Sequence, residues 1–574
     1  MEKILRVNLS NMSVTSEEVP AGWAQLGGRA LTSTIVSAEV PPSCHPLGPS
    51  NKLVFAHGML SGTMAVNSNR LSAGAKSPLT GGIKESSAGG TAAQMLAKLG
   101  IKALIIEGAP AQDAWYRIHI DKSGARIQEE KELVGKGNFA VFDAMGEQVG
   151  KKCGCLSIGP AGEFKMTAAN ISVRDKDGKI RSHGRGGLGA VMGSKKVKLI
   201  SIDDTGCEAI KLADPEKFKT ASKIFATSIT NAPGLKHGMK PFGTAMLINA
   251  VNEAGALPAY NFRNGQYDRH EQVSGETMRE TILARGGQPS HGCAPGCAIQ
   301  CSQVYLDQEK QFVTSGLEYE TISLFGPGCD IDNLDQIAAA DRVMDDIGVD
   351  SIEMSGAIAV AMEAGILKFG DAAGALRLLK EEVALGTPLG RVIGCGAGTT
   401  GTVYGVTRVP TVKNQSMPAY DPRPIKGIGI TYATSPMGAD HTAGYAVGPT
   451  LGGAIDGHKK DGQVDLSRHL QFAAAAVDSF GICLFADMAI SGDPQCVPAL
   501  VDMLNARFGT DKTAEDYIPK LGAYVVKLEH EFNCAAGLTS QQDRLPEFFS
   551  TDVLPPHNVT WDFTGQEIDA FWNF

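Results

Sequence analysis

The sequence predicts an α+β protein, with a β-rich N-terminal domain followed by two mainly helical domains. Three observations carry this. The opening third alternates short β-type runs, KLVFA, KALIIEG, WYRIHID and KVKLISI, with glycine turns. Beyond it come windows such as DPEKFKTASKIFATSI, DNLDQIAAADRVMDDIG and DAAGALRLLKEEVALG, where apolar residues recur three or four apart as on one face of a helix. The chain has 574 residues, well past the roughly 250–300 at which one hydrophobic core stops growing, so about three domains are expected.

In order along the chain, the expected domains are 1–210, 211–410 and 411–574. The proline- and glycine-rich passage TRVPTVKNQSMPAYDPRPIKGIGITYATSPMGADH reads as loops, with helices resuming near residue 465. No internal repeat or low-complexity segment is visible. Net charge is −9, with 20% charged residues and no long basic run, which argues against nucleic acid. The start, MEKILRVNLSNMSV, lacks the apolar core of a signal peptide, and no stretch approaches the ~20 apolar residues of a membrane span. A cytoplasmic location is expected, where thiols stay reduced and clustered cysteines suit metal better than disulfides.

That cluster is HGCAPGCAIQC, which sets Cys293, Cys297 and Cys301 four residues apart. Ala294-Pro295-Gly296 disfavours a helix through it and suits a loop whose thiolates converge. A zinc ion would recruit a fourth ligand, with His291 the local candidate. A [4Fe–4S] cluster takes four thiolates, one of them often remote, and Cys483 in DSFGICLF is a candidate.

A second pattern occurs twice, as Asp345-Asp346-Ile347-Gly348-Val349-Asp350 and Asp478-Ser479-Phe480-Gly481-Ile482-Cys483. Each Asp-x-x-Gly could simply end one helix before another begins, and Asp350 with Glu353 makes a capping-box pattern. Two equivalent carboxylates could also grip two equivalent halves of one ligand. The third stretch, IRSHGRGGLGAVMGSKKVKLISIDD, fits G-x-G-x-x-G. A dinucleotide site needs a strand running into the loop and a long helix after it, whereas polar KDGKIRSH precedes these glycines. Arg181 and Arg185 beside glycine backbone still suit a pyrophosphate.

With these residues in view, the chain resembles the tungsten-dependent aldehyde:ferredoxin oxidoreductase family. The resemblance runs nearly end to end, through NRLSAGAKSPLTGGIKESSAGG, GRGGLGAVMGSKKVK, GTAMLINAVNEAGALPAYNF, the cysteine loop, LEYETISLFG, both Asp-x-x-Gly copies, VPTVKNQSMPAYDPRPIKGIGITYATS and FNCAAGLTSQQDRLPEFF. It implies a β domain cradling two pyranopterins that chelate one tungsten, or molybdenum, through four sulfurs. On that resemblance Arg70, Ser87, Gly89, Arg181, Ser182, Gly184 and Arg185 hold the pterin phosphates and a bridging Mg2+. Asp345, Val349, Asp350, Asp478, Ile482 and Leu484 line the ring edges, one Asp-x-x-Gly copy per pterin. Cys293, Cys297, Cys301 and Cys483 carry the [4Fe–4S] cluster.

The same resemblance makes Glu320 in LEYET the base toward water or an aldehyde hydrate, and His441 in GADHT the hydrogen-bond donor to the substrate oxygen. Glu318 is the rival carboxylate, pointing about 200° away if the stretch is helical. Electrons are expected to leave for ferredoxin or a small iron–sulfur subunit. Two features depart from the family pattern. The first two loop cysteines are spaced C-x-x-x-C where the family has C-x-x-C, and no glutamate lies three residues before a histidine to hold an iron at a dimer contact. A homo-oligomer stays open. The competing classes are the same fold acting on another substrate, a nicotinamide dehydrogenase, and a non-enzymatic metal-binding protein.

Overall fold

In the computed structural model the described residues are 2–150 and 152–574. Two six-stranded sheets occupy the N-terminal part. The first runs Ser13–Glu18, Lys3–Asn8, Ile101–Glu107, Leu53–His57, Leu71–Lys76, Ile83–Ala88 across the sheet. The second runs Gly124–Glu129, Tyr116–Asp121, Val197–Ile202, Gly154–Ser157, Ile171–Arg174, Ile180–His183. Counted from the start of each half, both orders are second, first, sixth, third, fourth, fifth. In both, the first and sixth strands pair in parallel and every other neighbour is antiparallel. A helix falls between the second and third strands of each half, Gly28–Glu39 and Asn138–Gln148, and another between the fifth and sixth, Ala92–Lys98 and Leu188–Ser194.

The N-terminal part is therefore a topological duplication, where the sequence shows no repeat. The reason is physical. Strands buried on both faces, such as Leu53–His57, ask only for apolar or small residues of suitable volume, and many sequences satisfy that.

The four β-type runs read from the sequence all form strands, and the helical windows form Pro215–Asn231, Leu334–Ile347 and a helical stretch from Ala372 to Val383. Asp214 caps the first of these by accepting from the Lys217 amide, with Pro215 at the first helical position.

Three expectations fail. The passage taken as loops contains a helix, Lys426–Thr434, and a shorter one, Val447–Leu451, follows it. KGIGITYAT is poor in helix formers, yet every residue of it is buried. Gly429 lets the Trp561 ring approach to where a side chain would stand, so packing overrides propensity. The capping box at Asp350 does not close. Asp350 accepts from the Ile352 amide, while Glu353 turns inward to the amides of Ala397 and Ser416. The glycine loop does follow a strand, Ile180–His183, although the helix after it has only seven residues, too short for a dinucleotide fold. His291 is no partner for the thiols, since its ring bonds Asp177 at 2.7 Å and Arg181 at 3.2 Å.

Candidate active site

Each Asp-x-x-Gly copy docks on one half of the duplication, and the backbone contacts match. The Arg70 amide donates to the Gly481 carbonyl at 3.1 Å, and in the second half the Asn170 amide donates to Gly348 at 2.9 Å. The Cys483 amide donates to Asn67 and the Asp350 amide to Ala168, both at 2.9 Å. Gly481 and Gly348 are left-handed, with φ of 76° and 75°, so glycine ends each helix and turns the chain onto the sheet. The helix-ending reading holds at both copies, Gly348 closing helix Leu334–Ile347 and Gly481 closing helix Gln463–Phe480. Val349 and Ile482 are buried beside their turns, and Leu484 opens the turn after Cys483.

The fifth strands of the two sheets meet, His183 Nδ1 lying 2.7 Å from the Ser86 carbonyl. Arg70, Ser87, Arg181, Ser182 and Gly184 lie at this joint. They are half-buried. Arg70 donates to Ser87 Oγ and to the Ser87 carbonyl, each at 2.7 Å. Arg181 is held by Asp175 at 3.1 Å and by Ser315. A side chain at Gly184 would meet only Asp350, 3.9 Å away, whereas one at Gly89 would press on the Cys293 sulfur at 3.0 Å. Arg185 is engaged differently from expectation. It pairs with Asp350 at 3.1 Å and donates to the carbonyls of Ala439 and Ser416, tying the second half to the helical part.

Cys293, Cys297, Cys301 and Cys483 come together at the first half. The loop hangs between strands Gln288–His291 and Ser302–Leu306. Asn67 anchors it, with its amide donating to the Gly296 carbonyl, its Oδ1 accepting from Ala298 and its Nδ2 lying 3.7 Å from Cys297 Sγ. A hydrogen bond from Cys293 to Cys297 raises the first thiol and lowers the second, and burial raises Cys301 and Cys483. All 12 cysteines are free. Among the described residues no three His, Cys, Asp or Glu side chains close around a single ion position. Four thiols are the number of ligands a [4Fe–4S] cluster takes.

Glu320 and His441 also meet, Nε2 to Oε1 at 3.4 Å. Glu320 sits in the first turn of helix Tyr319–Phe325, and its Oε2 accepts from the Ala419 amide at 2.7 Å. Its Oε1 and the His441 Nδ1 are buried with no hydrogen-bond partner. Burial holds the Glu320 carboxyl above the usual carboxylate range. Glu318, two residues earlier, turns the other way, accepting from Thr244 at 2.6 Å and facing Cys301. Asp440 fixes the histidine turn by accepting from the Thr442 amide and hydroxyl, while its other oxygen lies 3.2 Å from Lys84 Nζ. Burial alone would raise Asp440, yet Lys84 and Arg185 hold it well below its ordinary value.

Family models for the aldehyde ferredoxin oxidoreductase N-terminal domain and for domains 2 and 3 of the same enzyme match residues 4–204 and 220–566. The chain belongs to the aldehyde ferredoxin oxidoreductase family. It is 33% identical to the tungsten-containing aldehyde ferredoxin oxidoreductase of Pyrococcus furiosus and 34% to that of Thermococcus kodakarensis, covering 96% of this chain and 92% of each relative. Among solved structures it superposes on the active-site complex BamBC of benzoyl coenzyme A reductase with a TM-score of 0.80. That match covers 100% of this chain and 93% of the other at 17% identity, a likeness of fold.

A family cofactor with phosphates and dithiolenes fits the residues present. The joint offers arginine and serine donors, Gly184 leaves room above the strand end, and Glu320 and His441 keep unpartnered polar atoms beyond it. Sequence reasoning missed several neighbours. Tyr420 stacks on Tyr319 with ring centroids 5.0 Å apart, touches His441 at 5.7 Å, and its hydroxyl meets that of Tyr445 at 3.1 Å. Glu85, buried against Asp478, is pushed up to about 8 by burial and by that second carboxylate. The one available signal was the density of polar residues in IKESSA and of tyrosines around His441. Asn67 carried a further hint, since its φ of 57° is one that asparagine tolerates.

Proposed function

We propose that this protein oxidises an aldehyde to a carboxylic acid, or runs the reverse, at a tungsten bis-pterin seated between the two halves of the β domain. The observation that carries the reading is the approach of Glu320 to His441 within 3.4 Å, each with a free polar atom, at the rim of a duplicated cradle. Bound there, the tungsten pterin supplies acceptance of two electrons, and a [4Fe–4S] cluster supplies their export one at a time. Aldehyde plus water gives carboxylate, three protons and two electrons. Glu320 removes a proton from the attacking water or the aldehyde hydrate, and burial, which raises its carboxyl above the ordinary range, makes it a stronger base than an exposed carboxylate. His441 donates to the substrate oxygen and steadies the charge that develops on it.

Arg70, Ser87, Gly89, Arg181, Ser182, Gly184 and Arg185 form the phosphate and Mg2+ side of the cradle, Arg185 acting through Asp350. Asp345, Val349, Asp350, Asp478, Ile482 and Leu484 flank the ring edges, one set to each half. Cys293, Cys297, Cys301 and Cys483 hold the cluster. The acceptor is ferredoxin or a small iron–sulfur subunit. Free thiols throughout suit a reducing compartment, and no described helix is long and apolar enough to cross a membrane. Domain limits at 210 and 410 are supported at the first boundary by the change from sheet to helix between Ile202 and Pro215.

The test is aldehyde-dependent reduction of a viologen dye by anaerobically purified protein, with the carboxylate measured as product. Protein with a full metal complement that reduces the dye with no aldehyde, aliphatic or aromatic, contradicts the assignment.

A further inference from the structure

Between Lys217 and Asn252 the chain carries five lysines and no aspartate or glutamate, within a protein of net charge −9. Lys217 pairs with Asp502 at 3.1 Å. Lys219, Lys223, Lys236 and Lys240 are exposed and, among the described residues, make no ion pair with a carboxylate. Lys219 and Lys223 stand one turn apart on helix Pro215–Asn231, a like-charge spacing that costs a helix about 0.2–0.5 kcal/mol. Glu216 lies three residues before Lys219 on the same helix, while no carboxylate stands three or four residues from Lys223.

The fold brings these lysines to the cysteine loop from two sides. Ser222, next to Lys223, lies with its hydroxyl 3.5 Å from the Met64 carbonyl, and three residues on the Asn67 amide donates to Gly296 at 3.1 Å. Gly296 is exposed, and Met64, three residues before Asn67, is 62% exposed. On the other side, Lys240–Phe242 packs against strand Gln288–His291, which leads into the loop, and Gly243 comes so close to the Cys301 carbonyl that an added Cβ would stand 2.6 Å from it. Glu276 and Glu280, on the neighbouring helix Gly275–Arg285, mark the border of the basic face.

We infer that the surface beside the cysteine loop, with exposed Met64 and Gly296 and the lysine-bearing segments of Lys219, Lys223, Lys236 and Lys240 on either side, docks an acidic one-electron carrier protein. The inference rests on the cluster assignment made above. Unpaired charge of one sign beside an exposed apolar side chain is the pattern that steers an oppositely charged partner and then excludes water at the contact. Each encounter passes one electron from the reduced cluster to one oxidised carrier, so two carriers are reduced per aldehyde.

The test compares holoenzyme variants Lys219→Glu/Lys223→Glu and Lys236→Glu/Lys240→Glu, with Lys527→Glu on the distant helix Ala514–Ala535 as control. Each is assayed with an acidic ferredoxin and with a small uncharged dye. Both double variants are expected to lose about tenfold or more in kcat/KM for ferredoxin at low salt, mostly through KM, with the difference shrinking as salt rises. Turnover with the dye and the Lys527→Glu control should be unchanged. Unaltered ferredoxin kinetics in both double variants, or an equal loss in the control, would overturn the proposal. So would equal losses with dye and ferredoxin, which would mark the lysines as structural. Direct binding of ferredoxin to the holoenzyme reads the surface without turnover, so a protein that binds its carrier but oxidises no aldehyde would sink the activity and leave the docking face standing.

Discussion

The two halves of the β domain share a backbone and differ in side chains. Matched amides bind matched carbonyls, at Arg70 and Asn170 and again at Cys483 and Asp350. At those same positions the first half carries an arginine and a thiol, and the second an amide and a carboxylate that pairs with Arg185. The duplicated backbone makes two equivalent turns, and on the proposed assignment of the cluster to Cys293, Cys297, Cys301 and Cys483 only the first half carries a thiol route for electrons. The second half is closed off by an ion pair and a helix cap in the place where the first half has sulfur.

The largest break in this comparison comes from exchanging the matched residues. Cys483→Ser should drop the iron content from ~4 per chain and abolish ferredoxin reduction, whereas Asp350→Asn should keep its iron. Iron lost equally from both, or from neither, would mean the halves are not specialised as described.

Next in size is the residue that belongs to neither half. Glu320→Gln should retain metal and pterin but lose roughly 10²–10⁴-fold in aldehyde oxidation, the usual contribution of a general base. Glu318→Gln, whose carboxyl faces Thr244 and Cys301, should keep most activity with a dye. The reverse outcome would move the base to Glu318, and full activity in both would remove a carboxylate base from the mechanism.

A smaller effect separates Arg70 from its counterpart Asn170. Loss of a charge-assisted hydrogen bond costs about 1.5–3 kcal/mol, so Arg70→Ala should release pterin more readily on dialysis than Asn170→Ala does. Equal retention would argue that the phosphates lie elsewhere.

The smallest concerns Glu85, which stands in the register position that Ile180 takes in the second half. Its folded pKa of about 8 lies above the ordinary carboxylate value. Between those two values the folded state therefore binds more protons than the unfolded one, and stability falls as pH rises. Glu85→Gln should flatten the thermal-midpoint profile from pH 5 to 8, and an unchanged slope would place the titration on another group.

Much of this was legible in the sequence. KLVFA and KVKLISI read as buried strands because their apolar runs are short and rich in β-branched residues. The cysteine loop announced itself through Pro295 and Gly296. The strand IRSH did not, because Arg181 and Ser182, polar and half-buried at the joint of the two sheets, break the apolar pattern that would reveal a strand. The duplication stayed hidden for a related reason, since backbone hydrogen bonds carry it and leave the side chains free to diverge. The aromatic wall of Tyr319, Tyr420 and Tyr445 joins residues about a hundred positions apart, and only folding brings them together.

Metal and pterin analysis of anaerobically purified protein tests the central claim most directly. Two equivalent seats and one thiol route predict two pterins, one tungsten or molybdenum and about four irons per chain. A single pterin, a second cluster's worth of iron, or zinc alone would contradict it.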